Sequence, residues 1–138
     1  MENVAPSKLD ESHVGSLREI FGADGVSVRD TDRSAYSRDL WPLATIWLQK
    51  KKITPYPPDA VVWARGEEQI VRLLALAREN GFAVIPYGAG SGVCGGTLPL
   101  RGGVVLDMKK MDVIVDVNGA ALTARVQTGI IGQDHEHE

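Results

Sequence analysis

Glycine crowding is what most limits the shape of this chain. Of 15 glycines in 138 residues, Gly88, Gly90, Gly92, Gly95, Gly96, Gly102 and Gly103 fall within one short stretch. Lacking a Cβ, glycine lets the backbone come close to a ligand and reach conformations closed to other residues. Successive backbone N–H groups can then line a concave anion site. In the run Ile85-Pro86-Tyr87-Gly88-Ala89-Gly90-Ser91-Gly92-Val93-Cys94-Gly95-Gly96, Ser91 adds a hydroxyl donor, and a diphosphate suits such a nest without a lysine. Two common phosphate loops do not fit. The Walker pattern ends in Gly-Lys-Ser/Thr, which is missing here. The dinucleotide pattern Gly-x-Gly-x-x-Gly must open a helix, and Gly88-Ala89-Gly90-Ser91-Gly92-Val93 misplaces its last glycine. A shifted match from Gly90 to Gly95 runs on towards Pro99, which cannot readily continue a helix. A flexible linker is the competing reading, and the apolar strand immediately before the loop weighs against it.

The neighbouring pattern gives the loop a frame. Ala60-Val61-Val62-Trp63-Ala64 reads as a short buried strand. Residues 67–80 form an amphipathic helix with Ile70, Val71, Leu73, Leu74 and Ala77 as its apolar face, Glu67 and Glu68 in the first turn, and Gly81 as the stop. Residues 82–86 are a second strand, so a parallel pair with a right-handed crossover is expected. Val104-Val105-Leu106-Asp107 is a third strand, and residues 113–117 and 121–127 flank Asn118-Gly119 as a hairpin. Upstream, residues 7–21 predict a helix ended by Gly22, and residues 31–37 could hold one helical turn. The rest of 23–58 reads as irregular, with Trp41-Pro42 breaking any longer helix and Pro55, Pro57 and Pro58 enforcing an extended path. Leu40, Trp41, Leu43, Ile46, Trp47 and Leu48 are apolar without clean periodicity; they cover either an edge of the core or a partner domain or substrate path, the former favoured.

Composition narrows the class. Hydrophobic residues at 43% and charged residues at 24% suit one modest globular domain. A net charge of −3 argues against a nucleic-acid footprint, and Lys50-Lys51-Lys52 reads as solvated loop. The single Cys94 cannot form an internal disulfide, which points to a reducing compartment, and it reads as a small packed residue rather than a nucleophile. Residues 1–10 lack an apolar signal core, and no stretch approaches the ~20 apolar residues that span a bilayer, so a cytoplasmic chain, at most peripheral to a membrane, is expected. Asp107 and Asp112 read as caps or solvated groups. Asp134, His135, Glu136 and His137 read as surface charge, not a metal site, and no catalytic residue can be named.

Taken in order, these segments resemble a known family. Pro58-Asp59-Ala60-Val61-Val62, Gly66-Glu67-Glu68-Gln69-Ile70-Val71, Ile85-Pro86-Tyr87-Gly88-Ala89-Gly90-Ser91, Leu106-Asp107-Met108-Lys109-Lys110-Met111 and Leu122-Thr123-Ala124-Arg125-Val126-Gln127-Thr128-Gly129-Ile130-Ile131-Gly132 are similar to successive pieces of the PCMH-type FAD-binding domain of the vanillyl-alcohol oxidase family. Within it, the likeness points to the branch of alkyl-dihydroxyacetone-phosphate synthase and the D-2-hydroxy-acid dehydrogenases. The resemblance implies an α+β fold: a small parallel β-α-β subdomain with flanking helices, then the start of an antiparallel β subdomain. Residues 1–56 would be a lead-in and 57–138 the first part of the flavin domain, with the rest of that domain and a cap domain elsewhere in a full-length protein. A helix opening at Ile130 and stopping after two turns suits such a truncation.

The resemblance also assigns a site. Pro86, Tyr87, Gly88, Ala89, Gly90, Ser91, Gly92, Gly95 and Gly129 would contact FAD. Some members attach FAD through a histidine in the loop; Ser91 stands at that position, so non-covalent FAD is implied, weakly held or absent in a chain with half the pocket. Gly92 stands where the family often has serine. The full-length protein would be an FAD-linked oxidoreductase acting on a 2-hydroxy acid or similar hydroxyl substrate, this fragment alone being inactive. The alternatives are an ether-lipid synthase fragment, a non-catalytic flavin-domain module that acts by protein interaction, and a different nucleotide-binding domain. Exposed apolar surface would favour pairing of copies.

Overall fold

A computed structural model describes residues 4–51, 54 and 56–132. The chain order is α1 (Glu11–Phe21), β1 (Val26–Ser27), α2 (Asp30–Ala35), α3 (Pro42–Ile46), β2 (Ala60–Trp63), α4 (Glu67–Asn80), β3 (Val84–Tyr87), β4 (Val104–Asp107), β5 (Ile114–Asn118) and β6 (Thr123–Val126). The fold is α+β, with one mainly parallel sheet and one antiparallel hairpin.

Strand order in the larger sheet is β1-β2-β4-β3. β2 and β3 each run parallel to β4, so the two strands joined through α4 have a third inserted between them. Among the described residues β3 pairs only with β4, an edge position that tolerates Pro86 and its missing N–H. β2 and β4 are central and buried on both faces, which explains their unbroken apolar runs. On one face Ala60, Val62, Val104 and Leu106 pack with Leu17, Ile20 and Phe21 of α1 and Leu73 of α4. By strand alternation Val61 and Val105, both fully buried, point to the other face, where α2 meets β2. Gln69 stitches the two large helices to the sheet: its Oε1 accepts from Arg65 N at 2.8 Å and its Nε2 donates to Ile20 O at 3.0 Å.

Several expectations shift. The first helix begins at Glu11, because Asp10 accepts from His13 N and caps it, leaving residues 7–10 outside. The upstream stretch read as irregular holds β1, antiparallel to β2, and α3, which Pro42 starts at its first turn rather than prevents. In α4 only Leu73 and Ala77 are buried; Val71 and Leu74 are exposed. The second strand starts at Val84, two residues late. In the hairpin, Asn118 ends β5 and its side chain accepts from Ala120 N and Ala121 N, so the turn spans residues 119–122 rather than two residues. Leu40, Leu43 and Ile46 are exposed and Ala44 is buried, while Trp41, Trp47 and Leu48 are half-buried, so this segment covers an edge only in part. Cys94 is exposed on the glycine loop, not packed as expected. The helix expected from Ile130, the Asp134–His137 run, Lys52 and Pro55 lie wholly or mostly outside the described residues.

Candidate functional site at the strand ends

The three parallel strands finish in one row. Trp63 of β2 and Tyr87 of β3 both register with Asp107 of β4. Open α/β sheets bind ligands beyond the carboxyl ends of their strands. The glycine loop leaves from Tyr87 at that end.

The loop is tied down by residues of the lead-in. Tyr87 Oη donates to Arg38 O at 3.2 Å, and Leu40 N donates to Gly92 O at 2.9 Å. Gly90 has φ +66°, and a side chain there would run into the Tyr87 hydroxyl, so both the backbone and the packing require glycine. Gly95 lies against the Trp41 ring. Pro86, Ala89, Ser91 and Gly92 are exposed, and Tyr87, Gly88, Gly90 and Gly95 are half-buried. Among the described residues, the backbone N–H groups of residues 88–92 have no protein acceptor. Five successive free donors at a strand end form the kind of nest that receives an anion.

Among the described residues, Asp39 Oδ2 and Thr97 Oγ1 are buried without a protein partner. Asp39 is almost fully buried; its Oδ1 accepts from Trp41 N at 2.9 Å, while a Cβ on Gly92 would lie 3.2 Å from Oδ2. Buried polar atoms are normally paired. The free N–H donors and the loop hydroxyls fit a polar, phosphate-bearing group such as FAD, whereas the orphan Asp39 oxygen, a carboxylate acceptor, calls for a hydroxyl or N–H donor and not for a phosphate.

Gly129 is set differently. Its N donates to Met111 O at 2.8 Å, and a side chain there would collide with the backbone of residues 108–111. The structure therefore places it against the turn after β4, which meets the loop through Lys109.

The cluster that organises this end was not legible as a site. Asp107 is fully buried rather than solvated and caps the following turn, whereas Asp112 is exposed. The Asp107 carboxylate accepts from Tyr36 Oη at 2.5 Å, from Lys109 N at 2.8 Å and from Lys109 Nζ. Trp63 Nε1 donates to Tyr36 Oη at 3.1 Å, and the Tyr36 and Tyr87 rings meet edge-on at 4.8 Å. Burial, reinforced by the Asp107 charge, holds both phenols protonated beyond the usual tyrosine range. With its carboxylate met by three donors and its phenols kept neutral, the cluster is suited to holding shape rather than moving protons. The one signal available in sequence was positional: Trp63, Tyr87 and Asp107 each sit at the last place of an apolar strand.

Comparison with known proteins bears on what the nest holds. The family model described as FAD binding domain matches residues 58–138. Glycolate oxidase subunit GlcD of Bacillus subtilis (strain 168) is 34% identical over 118 residues, which is 86% of this chain and 23% of that protein. Probable D-lactate dehydrogenase, mitochondrial, of Danio rerio is 31% identical over 120 residues, covering 87% of this chain and 22% of that one. A solved structure of alkyldihydroxyacetonephosphate synthase superposes with a TM-score of 0.88 at 27% identity, over 98% of this chain and 28% of that one. The chain thus spans about a quarter of the length of these relatives.

Proposed function

We propose that this chain, which belongs to the FAD binding domain family, is the phosphate-holding part of an FAD-linked oxidoreductase that acts on a 2-hydroxy acid. The observation that carries this reading is the run of unpaired N–H groups over residues 88–92 at the ends of the parallel strands. In it, Pro86, Tyr87, Gly88, Ala89, Gly90, Ser91, Gly92 and Gly95 surround the pyrophosphate, and Gly129 supports them from the neighbouring turn. Residues 1–56 act as a lead-in whose Tyr36, Asp39 and Trp41 shape the loop from below. When bound, the flavin supplies electron acceptance; the protein's task is to hold and orient it. The 2-hydroxy-acid substrate class rests on the names of the glycolate and D-lactate relatives.

Attachment is non-covalent, because Ser91 offers a hydroxyl where covalent linkage needs a histidine. Binding by this chain alone is weak, since the chain spans only about a quarter of the length of its relatives. The single cysteine fits a reducing, cytoplasmic setting, and among the described residues no helix is long and apolar enough to cross a membrane. The match to alkyldihydroxyacetonephosphate synthase over nearly the whole chain favours a second reading, an ether-lipid enzyme of that branch.

Titration of the purified chain with FAD, followed by quenching of flavin fluorescence, tests the cofactor. Saturable quenching, with all flavin released into the supernatant after acid precipitation, is expected. A chain that leaves FAD fluorescence unchanged while binding ATP would overturn the reading. Assay of the full-length protein with glycolate, D-lactate and alkyl-dihydroxyacetone-phosphate precursors separates the two substrate classes.

A further inference from the structure

We infer that Lys109 is a positioning residue that latches the first turn of the glycine loop to the end of the sheet. The inference rests on the loop being the phosphate site. Lys109 lies on the turn after β4, and four contacts converge on its ammonium. Nζ donates to Gly88 O at 3.2 Å and to the buried Asp107 carboxylate. It also stands 5.2 Å from the Tyr36 ring centroid and 5.0 Å from that of Tyr87, within the range of cation–π attraction.

Each contact fixes a different part. The Asp107 carboxylate has no solvent contact, so the ion pair is anchored on one side in the core, while the lysine is 46% exposed on the other. The two tyrosine rings limit where the ammonium can move. The Gly88 carbonyl belongs to the first peptide of the loop, and holding it fixes that peptide plane and with it the direction of the Ala89 N–H. The turn that carries Lys109 is itself held, by Met111 N to Met108 O at 2.9 Å and Gly129 N to Met111 O at 2.8 Å. Gly129 thereby reaches the loop indirectly: a bulkier residue would displace the 108–111 backbone and the latch with it. The same loop is tied four residues on by Leu40 N on Gly92 O, a bond that shares any loosening of the loop's first turn.

The test combines amide hydrogen exchange with FAD titration on Lys109→Met, Lys109→Arg and the double variant Asp107→Asn/Lys109→Met. The Leu40 and Met108 amides report the loop, because they donate to Gly92 O and Tyr87 O; amides of β2 and β4 report the core. Lys109→Met is expected to speed exchange at Leu40 and Met108 and to weaken FAD binding, each by about fivefold, the effect on the loop of losing the charge-assisted hydrogen bond to Gly88. Core amides keep their rates. Lys109→Arg restores both readouts, and the double variant stays loose because the tie to Gly88 is still missing. Loop amides exchanging at the wild-type rate in Lys109→Met, or core amides accelerating equally, would overturn the latch; so would recovery in the double variant, which would assign the effect to the stranded Asp107 charge. If the wild-type chain binds no FAD, the cofactor reading fails, and the latch is decided by exchange alone.

Discussion

At the residue scale, the decisive group is a carboxylate that solvent does not reach. Asp107 is balanced by Tyr36 and Lys109, and removing a donor leaves a buried acceptor short. Tyr36→Phe keeps the ring contacts and deletes that one donor, so a loss of about 1–3 kcal/mol in urea unfolding is expected. The same substitution should alter the alkaline limb of stability. Both Tyr36 and Tyr87 are held protonated above the usual tyrosine range, so at high pH the folded state keeps protons that the unfolded chain releases. Stability is therefore full below the unfolded tyrosine value of ~10 and falls as pH rises above it. Unfolding measured from pH 8 to 12 should show that fall in the wild type and a shallower one in Tyr36→Phe. Gly90 was legible in the sequence, because its crowded neighbourhood announces close backbone approach. Asp107, Tyr36 and Asp39 were not, because their meaning comes from partners many positions away, and an aspartate at a strand end looks like any cap.

At the element scale, periodicity carried the large pieces. α1, α4, β2 and β4 follow from apolar spacing, and Gly81 stops α4 with φ +70°, as a glycine after a helix should. The misses share a cause. β1 is two residues long and exists only because β2 offers it an edge, so no local pattern can reveal it. The apolar face of α4 was drawn too wide, since spacing says which residues share a face and not how much of it a sheet will cover. The difference is measurable. Leu73 is fully buried, and Leu73→Ala should cost about 2–5 kcal/mol. Val71 is 66% exposed, and Val71→Ala should stay within about 0.5 kcal/mol. Equal losses from both would mean that α4 packs on a different face.

At the scale of the whole molecule, the β5–β6 hairpin stands with Val113, Val115, Val117 and Leu122 exposed. A two-stranded hairpin is marginal by itself, and exposed apolar strands invite association. The isolated chain should therefore show mass that rises with concentration in sedimentation, and replacing Val115 and Val117 with threonine should lower it. The loop, in contrast, is completed by contacts that cross long stretches of chain: Tyr36 with Asp107 across 71 positions, and Tyr87 with Arg38 across 49. Contacts of such separation form late and slowly in folding. In kinetic terms the shape of the loop should be among the last features this chain gains on refolding and among the first it loses on unfolding. Nicking the backbone between residues 36 and 41 should abolish it while β2 and β4 still stand paired.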